Sequence, residues 1–226
     1  MRDVVDRRAA APREPMFDVP WTVLALVGAL VAAHAARLYL GIEADRFALV
    51  PWDLKHGAGL HWASHLFVHA NWAHVLTNAA FTLAFGTPVA RYLGLGSRGA
   101  LAFAVFFLAA GTLAALGFAA WARLFEPDAP WALVGASGAA SGLFGAAARL
   151  MEGRGRLGGL GGRRFLTMSV VWIGANAVLG LTGLTPGAGA APVAWQAHVC
   201  GFLAGLALIG PLARLAGRPR DHAIAP

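Results

Sequence analysis

Ser137 stands in the run Val134-Gly135-Ala136-Ser137-Gly138-Ala139-Ala140-Ser141-Gly142, two hydroxyls among small residues, and an apolar run from Leu143 to Leu150 follows. A serine among glycines at the start of a helix can present its hydroxyl, with neighbouring backbone N–H groups free to donate to an anion. A hydroxyl is a weak nucleophile until a base takes its proton. His198 is the candidate base, because neutral imidazole has a pKa near the operating pH. Attack on a peptide carbonyl creates an oxyanion that needs donors. Candidates are the Asn78 amide, a His74 ring N–H and the Ser137 backbone N–H, each such donor being worth about 100- to 1000-fold in kcat. His74 and Asn78 are spaced i, i+4 and so share a helix face. No acidic residue lies inside an apolar run to orient His198, so the pattern suggests a Ser–His dyad and not a Ser–His–Asp triad. The competing account of the 134–142 run is close helix packing through small residues in a membrane. Ser141 is the rival nucleophile, but it lies a turn deeper between Ala140 and Gly142, and Ser137 is preferred.

The elements that must carry these residues are membrane spans. The chain has 226 residues, 58% hydrophobic and 13% charged, with a mean hydropathy of +0.61; soluble domains carry about 25% charged residues. The expected fold is an all-α polytopic bundle of one domain, 21–216, between a mobile N-terminal tail at 1–20 and a C-terminal tail at 217–226. Six spans are expected, over 21–40, 73–89, 99–121, 137–150, 165–181 and 197–212. The Ala33-His34-Ala35 end of the first resembles a signal-peptidase site, but no pattern of a secreted domain follows, so a retained helix is expected. The fourth span is short against the roughly 20 residues a bilayer core requires. Its start must therefore lie below the surface, inside protein or under a water-filled cavity.

The net charge of +7 comes from arginines in short connections between apolar runs, which reads as topology and not as a nucleic-acid surface. Arg91, Arg98, Arg154, Arg156, Arg163 and Arg164 fall after the second and fourth spans, and the C-terminal tail is Arg-rich. The positive-inside rule then places both termini in the cytoplasm. Spans two, four and six enter from the outside at His74 and Asn78, at Ser137 and at His198. Polar groups inside spans are costly and face a cavity or the bundle interior, so their shared depth is the main argument for a site.

These residues resemble the rhomboid intramembrane serine proteases over about residues 20 to 216. The Gly-x-Ser-Gly motif appears as Gly135-Ala136-Ser137-Gly138, the His-x4-His-x3-Asn motif as His69, His74 and Asn78, and the last-helix motif as Ala197-His198-Val199-Cys200-Gly201 with Gly205. The resemblance implies a catalytic dyad of Ser137 and His198, an oxyanion site at His74 and Asn78, and a structural hydrogen-bonding role for His69. It also implies that Gly201 and Gly205 let the last helix pack against the fourth span. The partners it implies are transmembrane protein substrates cleaved near the outer face and the lipid bilayer. No cofactor, metal or nucleic acid is expected. Composition and short loops point to a bacterial inner membrane. Two features depart from the family. The loop Trp-Arg pair is replaced by Leu60-His61-Trp62, and the aromatic residue four positions after the nucleophile is Ser141, so the resemblance names no group to hold the His198 ring.

Other readings attach to the remaining polar residues. His56, His61, His65 and His69 lie in a long connection. The last three are spaced as a helical face could place metal ligands, but solvated interfacial histidines are preferred for His61 and His65. A histidine-rich metal carrier is thus one alternative; a catalytically silent rhomboid-like protein that binds membrane clients is the other. Trp172 and Asn176 are read as packing and helix–helix bonding, Arg149 and Glu152 as marking only the cytoplasmic end of span four, and Cys200 as a small packing residue.

Overall fold

The computed structural model describes residues 18–51, 59–128, 132–182, 193–219 and 223–224. Residues 1–17 of the tail expected to be mobile, His56, and most of the connection before the last span lie outside these residues. Regular secondary structure among the described residues is helical, with two isolated bridges besides. The long helices are α1 (Trp21–Tyr39), α3 (Trp72–Leu93), α4 (Ser97–Phe125), α5 (Ser137–Glu152), α6 (Arg163–Thr182) and α7 (Trp195–Leu215), and α2 (His61–Ser64) is a single turn. Each long helix covers one of the runs expected to span. Three of them, α1, α4 and α7, are long and apolar enough by themselves to cross a membrane. Large apolar side chains face outward at Leu101, Val170, Val171 and Leu203, and alanine, glycine and phenylalanine are prominent in the interior beside buried Leu143, Leu150 and Val75. An apolar exterior suits a lipid surround, where helices associate by close packing and not by expelling apolar groups from water.

α5 is the central element and packs on α3, α4, α6 and α7. Its 16 residues span about 24 Å at 1.5 Å per residue, short of a hydrocarbon core of about 30 Å. Gly138, Gly142 and Gly145 each weaken a helix by about 1 kcal/mol relative to alanine. Their return is proximity. A Cβ at Gly138 would come within 2.6 Å of the Ala114 Cβ, and one at Gly145 within 2.6 Å of the Phe202 carbonyl oxygen. On the facing helix, a Cβ at Gly201 would overlap the Gly138 carbonyl oxygen and one at Gly205 the Gly142 carbonyl oxygen. The α5 and α7 backbones are therefore in direct contact along two turns.

The described parts of the connection from α1 to α3 are docked onto the bundle. Leu49, Leu66 and Val68 are buried, Leu66 lies over Gly111 of α4, and Leu49 and Leu133 exchange backbone hydrogen bonds of 3.0 and 2.8 Å. Arg37, near the end of α1, donates to the Ile42 and His69 carbonyls at 2.9 and 3.2 Å. Arg149 and Glu152 do more than mark an end. Arg149 donates to the carbonyls of Gly158 and Leu206, and the Glu152 carboxylate accepts the Phe165 N–H at 3.0 Å, satisfying an orphan donor in the first turn of α6.

Candidate active site

α3 begins where it does because Asn71, in extended backbone, accepts the His74 N–H on its side chain at 2.9 Å. Asparagine is among the preferred residues for this capping position. The cap puts His74 in the first turn and Asn78 one turn on, both toward α5. A Cβ on Gly135 would lie 2.6 Å from His74 Nε2 and 3.5 Å from Asn78 Nδ2. Gly135 also has φ of 104°, a left-handed conformation that favours glycine. The chain can pass under these two side chains only as glycine.

Two hydrogen bonds hold the approach to Ser137. The Gly135 N–H donates to the His65 carbonyl at 2.8 Å, and the Ala136 N–H donates to His69 Nε2 at 3.4 Å. His65 is buried and donates from Nδ1 to the His61 carbonyl at 2.8 Å. This corrects the expectation of a solvated His65: the single turn of α2 and the turn after it fold the ring inward. Burial pulls the His65 imidazole down to about 4. Burial, with His74 and His34 adding to it, pulls His69 to about 3. Both histidines are therefore neutral supports. His34 is buried within α1 and meets the Trp72 ring edge-on at 4.8 Å.

Ser137 opens α5, where the first N–H groups of a helix have no intrahelical partner. Its Oγ lies 2.8 Å from His198 Nε2. The contact spans 61 positions of sequence and depends on the glycine-to-backbone packing of α5 on α7. Ser141 is buried and donates its hydroxyl to the Ser137 carbonyl at 2.7 Å, so its proton is already engaged. Asn78 Nδ2 is buried and has no hydrogen-bond partner among the described residues, which leaves a donor unspent beside the Gly135 turn. A buried amide left so is costly, unless something arrives to accept from it.

Asn176 was expected to bond helix to helix. It does so, but the atom it meets belongs to the site: Asn176 Oδ1 is 2.5 Å from His198 Nδ1, and Asn176 Nδ2 donates to the Trp172 carbonyl at 2.8 Å. Sequence reasoning sought an acid to orient His198 and passed over a neutral amide. Trp172 itself packs, stacked on Phe144 at 4.4 Å. Cys200 lies against Gly117 of α4. Among the described residues, no group of three or more His, Cys, Asp or Glu side chains has the arrangement to hold a metal ion.

The arrangement can move a proton from a serine hydroxyl to an imidazole beside unspent N–H donors, which is the equipment of acyl transfer. The family model for the Rhomboid domain matches residues 56–215, which takes in α3 to α7 and all of these side chains. No curated protein matches the chain.

Proposed function

The chain belongs to the rhomboid family, and from that premise we propose that it is an active serine endopeptidase that cleaves transmembrane protein substrates by a Ser137–His198 dyad. The observation that carries this reading is the 2.8 Å contact between Ser137 Oγ and His198 Nε2. In the proposed reaction His198 Nε2 takes the hydroxyl proton as Oγ attacks the scissile carbonyl. Asn78 Nδ2, His74 Nε2–H and the Ser137 N–H receive the oxyanion. The proton on Nε2 then passes to the leaving amine, and water repeats the sequence to release the acyl group. His69, Gly135, Gly138, Gly201 and Gly205 hold the reacting groups in place without touching substrate.

The membrane placement belongs to the same proposal. All six long helices span, within a domain of 21–216, with the tails 1–20 and 217–226 both cytoplasmic, in a bacterial inner membrane. Arginines cluster at one end of the bundle (Arg91, Arg98, Arg154, Arg156, Arg163 and Arg164), in keeping with the positive-inside rule. Ser137 and His198 open α5 and α7 at the opposite end, so cleavage occurs near the outer face. The shortness of α5 supports a nucleophile set below that surface and reached by water.

Labelling with a fluorophosphonate probe in detergent tests the dyad. The wild type and Ser141→Ala label, while Ser137→Ala and His198→Ala do not. Labelling retained in Ser137→Ala overturns the assignment. A folded wild type that neither labels nor cleaves transmembrane substrates supports the client-binding alternative.

A further inference from the structure

We propose that Asn176 is the positioning residue of this site, holding His198 in the one neutral tautomer that can accept the Ser137 proton. The inference rests on the dyad reading above and adds a third member to it, a neutral amide.

The directions of the hydrogen bonds that link Trp172, Asn176, His198 and Ser137 follow from one backbone carbonyl. The Trp172 carbonyl oxygen can only accept, so the part of the Asn176 amide 2.8 Å from it is the NH2 group. The amide oxygen then faces His198 Nδ1. That oxygen also can only accept, so Nδ1 carries the ring hydrogen. A neutral imidazole protonated on Nδ1 has its lone pair on Nε2, and Nε2 is the nitrogen 2.8 Å from Ser137 Oγ. The amide ambiguity and the imidazole tautomer, ordinarily matters of assignment, are both decided by a group that cannot turn over. In the proposed attack the Oγ–H proton moves to Nε2 as the Oγ–carbon bond forms. The Nδ1 hydrogen stays on Nδ1, and the resulting imidazolium donates it to the amide oxygen. The Nε2 proton leaves with the amine when the carbon–nitrogen bond breaks. Asn176 gains and loses nothing.

The placement is also economical of alternatives. Phe165, Ser169 and Asn176 are the buried side chains of α6 among those described, and Ser169 spends its hydroxyl on the Phe165 carbonyl. Asn176 is the amide that α6 presents to α7, at the height of His198. The aromatic ring that family members place behind this histidine is absent here, where Ser141 stands. The amide supplies orientation by hydrogen bonding in place of ring packing.

The test combines imidazole 15N spectra of histidine-labelled protein, with His198→Ala to assign the signal, and the saturation kinetics of fluorophosphonate labelling. In the wild type His198 is protonated on Nδ1 and bare on Nε2. In Asn176→Ala the proton redistributes to Nε2, and the maximal labelling rate falls about 10- to 100-fold with probe affinity within about twofold, the range expected for losing one bond to a group that becomes charged. Asn176→Asp keeps an oxygen beside Nδ1, so it retains the Nδ1 proton and recovers the rate to within about tenfold of wild type, since a carboxylate serves the same orienting role in triads. A wild-type His198 protonated on Nε2 overturns the proposal. So does an Asn176→Ala protein with an unchanged spectrum and rate, or equal losses in Asn176→Ala and Asn176→Asp that track a fall in thermal stability. Unaltered labelling in His198→Ala, or none in the wild type, refutes the dyad instead, and the spectra still decide where the proton sits.

Discussion

Replacing Gly201 by alanine tests whether the dyad exists because two backbones touch. The added methyl would overlap the Gly138 carbonyl oxygen, and no side chain intervenes that could swing away. α7 must retreat from α5 by about 1.5 Å to restore an ordinary contact of about 3.5 Å. Carried to His198, three residues back on α7, that retreat opens the 2.8 Å Nε2–Oγ contact to about 4.3 Å, past the length of a hydrogen bond. A misplacement of about 1 Å costs on the order of 100-fold in rate. Overpacking costs about 1–3 kcal/mol, and each kcal/mol lowers Tm by about 2–4 °C in a chain of this size, so the expected fall is about 2–12 °C. Gly205→Ala meets the same obstacle at the Gly142 carbonyl oxygen, four residues further from His198. It should lose similar stability and markedly less labelling rate. Gly28→Ala on α1, where nothing lies within 4 Å, should leave the labelling rate unchanged and should not lower Tm, since alanine favours a helix over glycine. Fluorophosphonate labelling rates and thermal unfolding in one detergent give all three comparisons. A Gly201→Ala protein that labels at the wild-type rate with an unshifted Tm refutes the reasoning.

Three further outcomes are expected. Asn78→Ala removes the unspent buried donor and should lower the labelling rate about 100- to 1000-fold without lowering Tm, because the amide N–H2 meets no acceptor among the described residues; a loss below tenfold would remove Asn78 from the oxyanion site. Arg37→Ala and Arg37→Lys should both raise proteolytic nicking in residues 40–71, since a lysine ammonium cannot span the Ile42 and His69 carbonyls as the guanidinium does; protection by lysine equal to that by arginine would count against the tie. The buried His65 has a folded pKa of about 4, below its ordinary 6.5, so above pH 6.5 neither state is charged and the full stability of the docked loop is present. As pH falls from 6.5 toward 4 the undocked loop takes up the proton first, and stability is lost at up to about 1.4 kcal/mol per pH unit. Amide-exchange protection over residues 59–71, corrected for intrinsic rates, should therefore drop at least about tenfold between pH 7 and pH 5, and equal protection at both would contradict the burial argument.

Much of this protein is written locally. Apolar runs of the right length announce α1, α4 and α7 whatever surrounds them, because the cost of bare backbone in hydrocarbon leaves a helix as the only spanning form for such a run. The i, i+4 spacing of His74 and Asn78 puts them on one face of α3 by helix geometry alone, and Gly135, Ser137 and Gly138 mark a small-residue turn into α5. Other features have no local signature. His65 reads as one more solvated histidine until the Leu49–Leu133 pairing and the Leu66 contact fold its segment inward. The partners of Arg37, the carbonyls of Ile42 and His69, are set by the folded loop and not by the sequence around it. The tautomer of His198 depends on Asn176, which is 22 positions away on a helix whose other features are mostly apolar. An amide has no charge and makes no periodic pattern, so its partner is set by how α6 and α7 are rotated against each other. Chain composition and periodicity specify which segments become helices and which faces are polar. The distance from Ser137 to His198, and the hydrogen that the imidazole carries, come from backbones brought into contact through glycine, a property of the assembled bundle that no single segment contains.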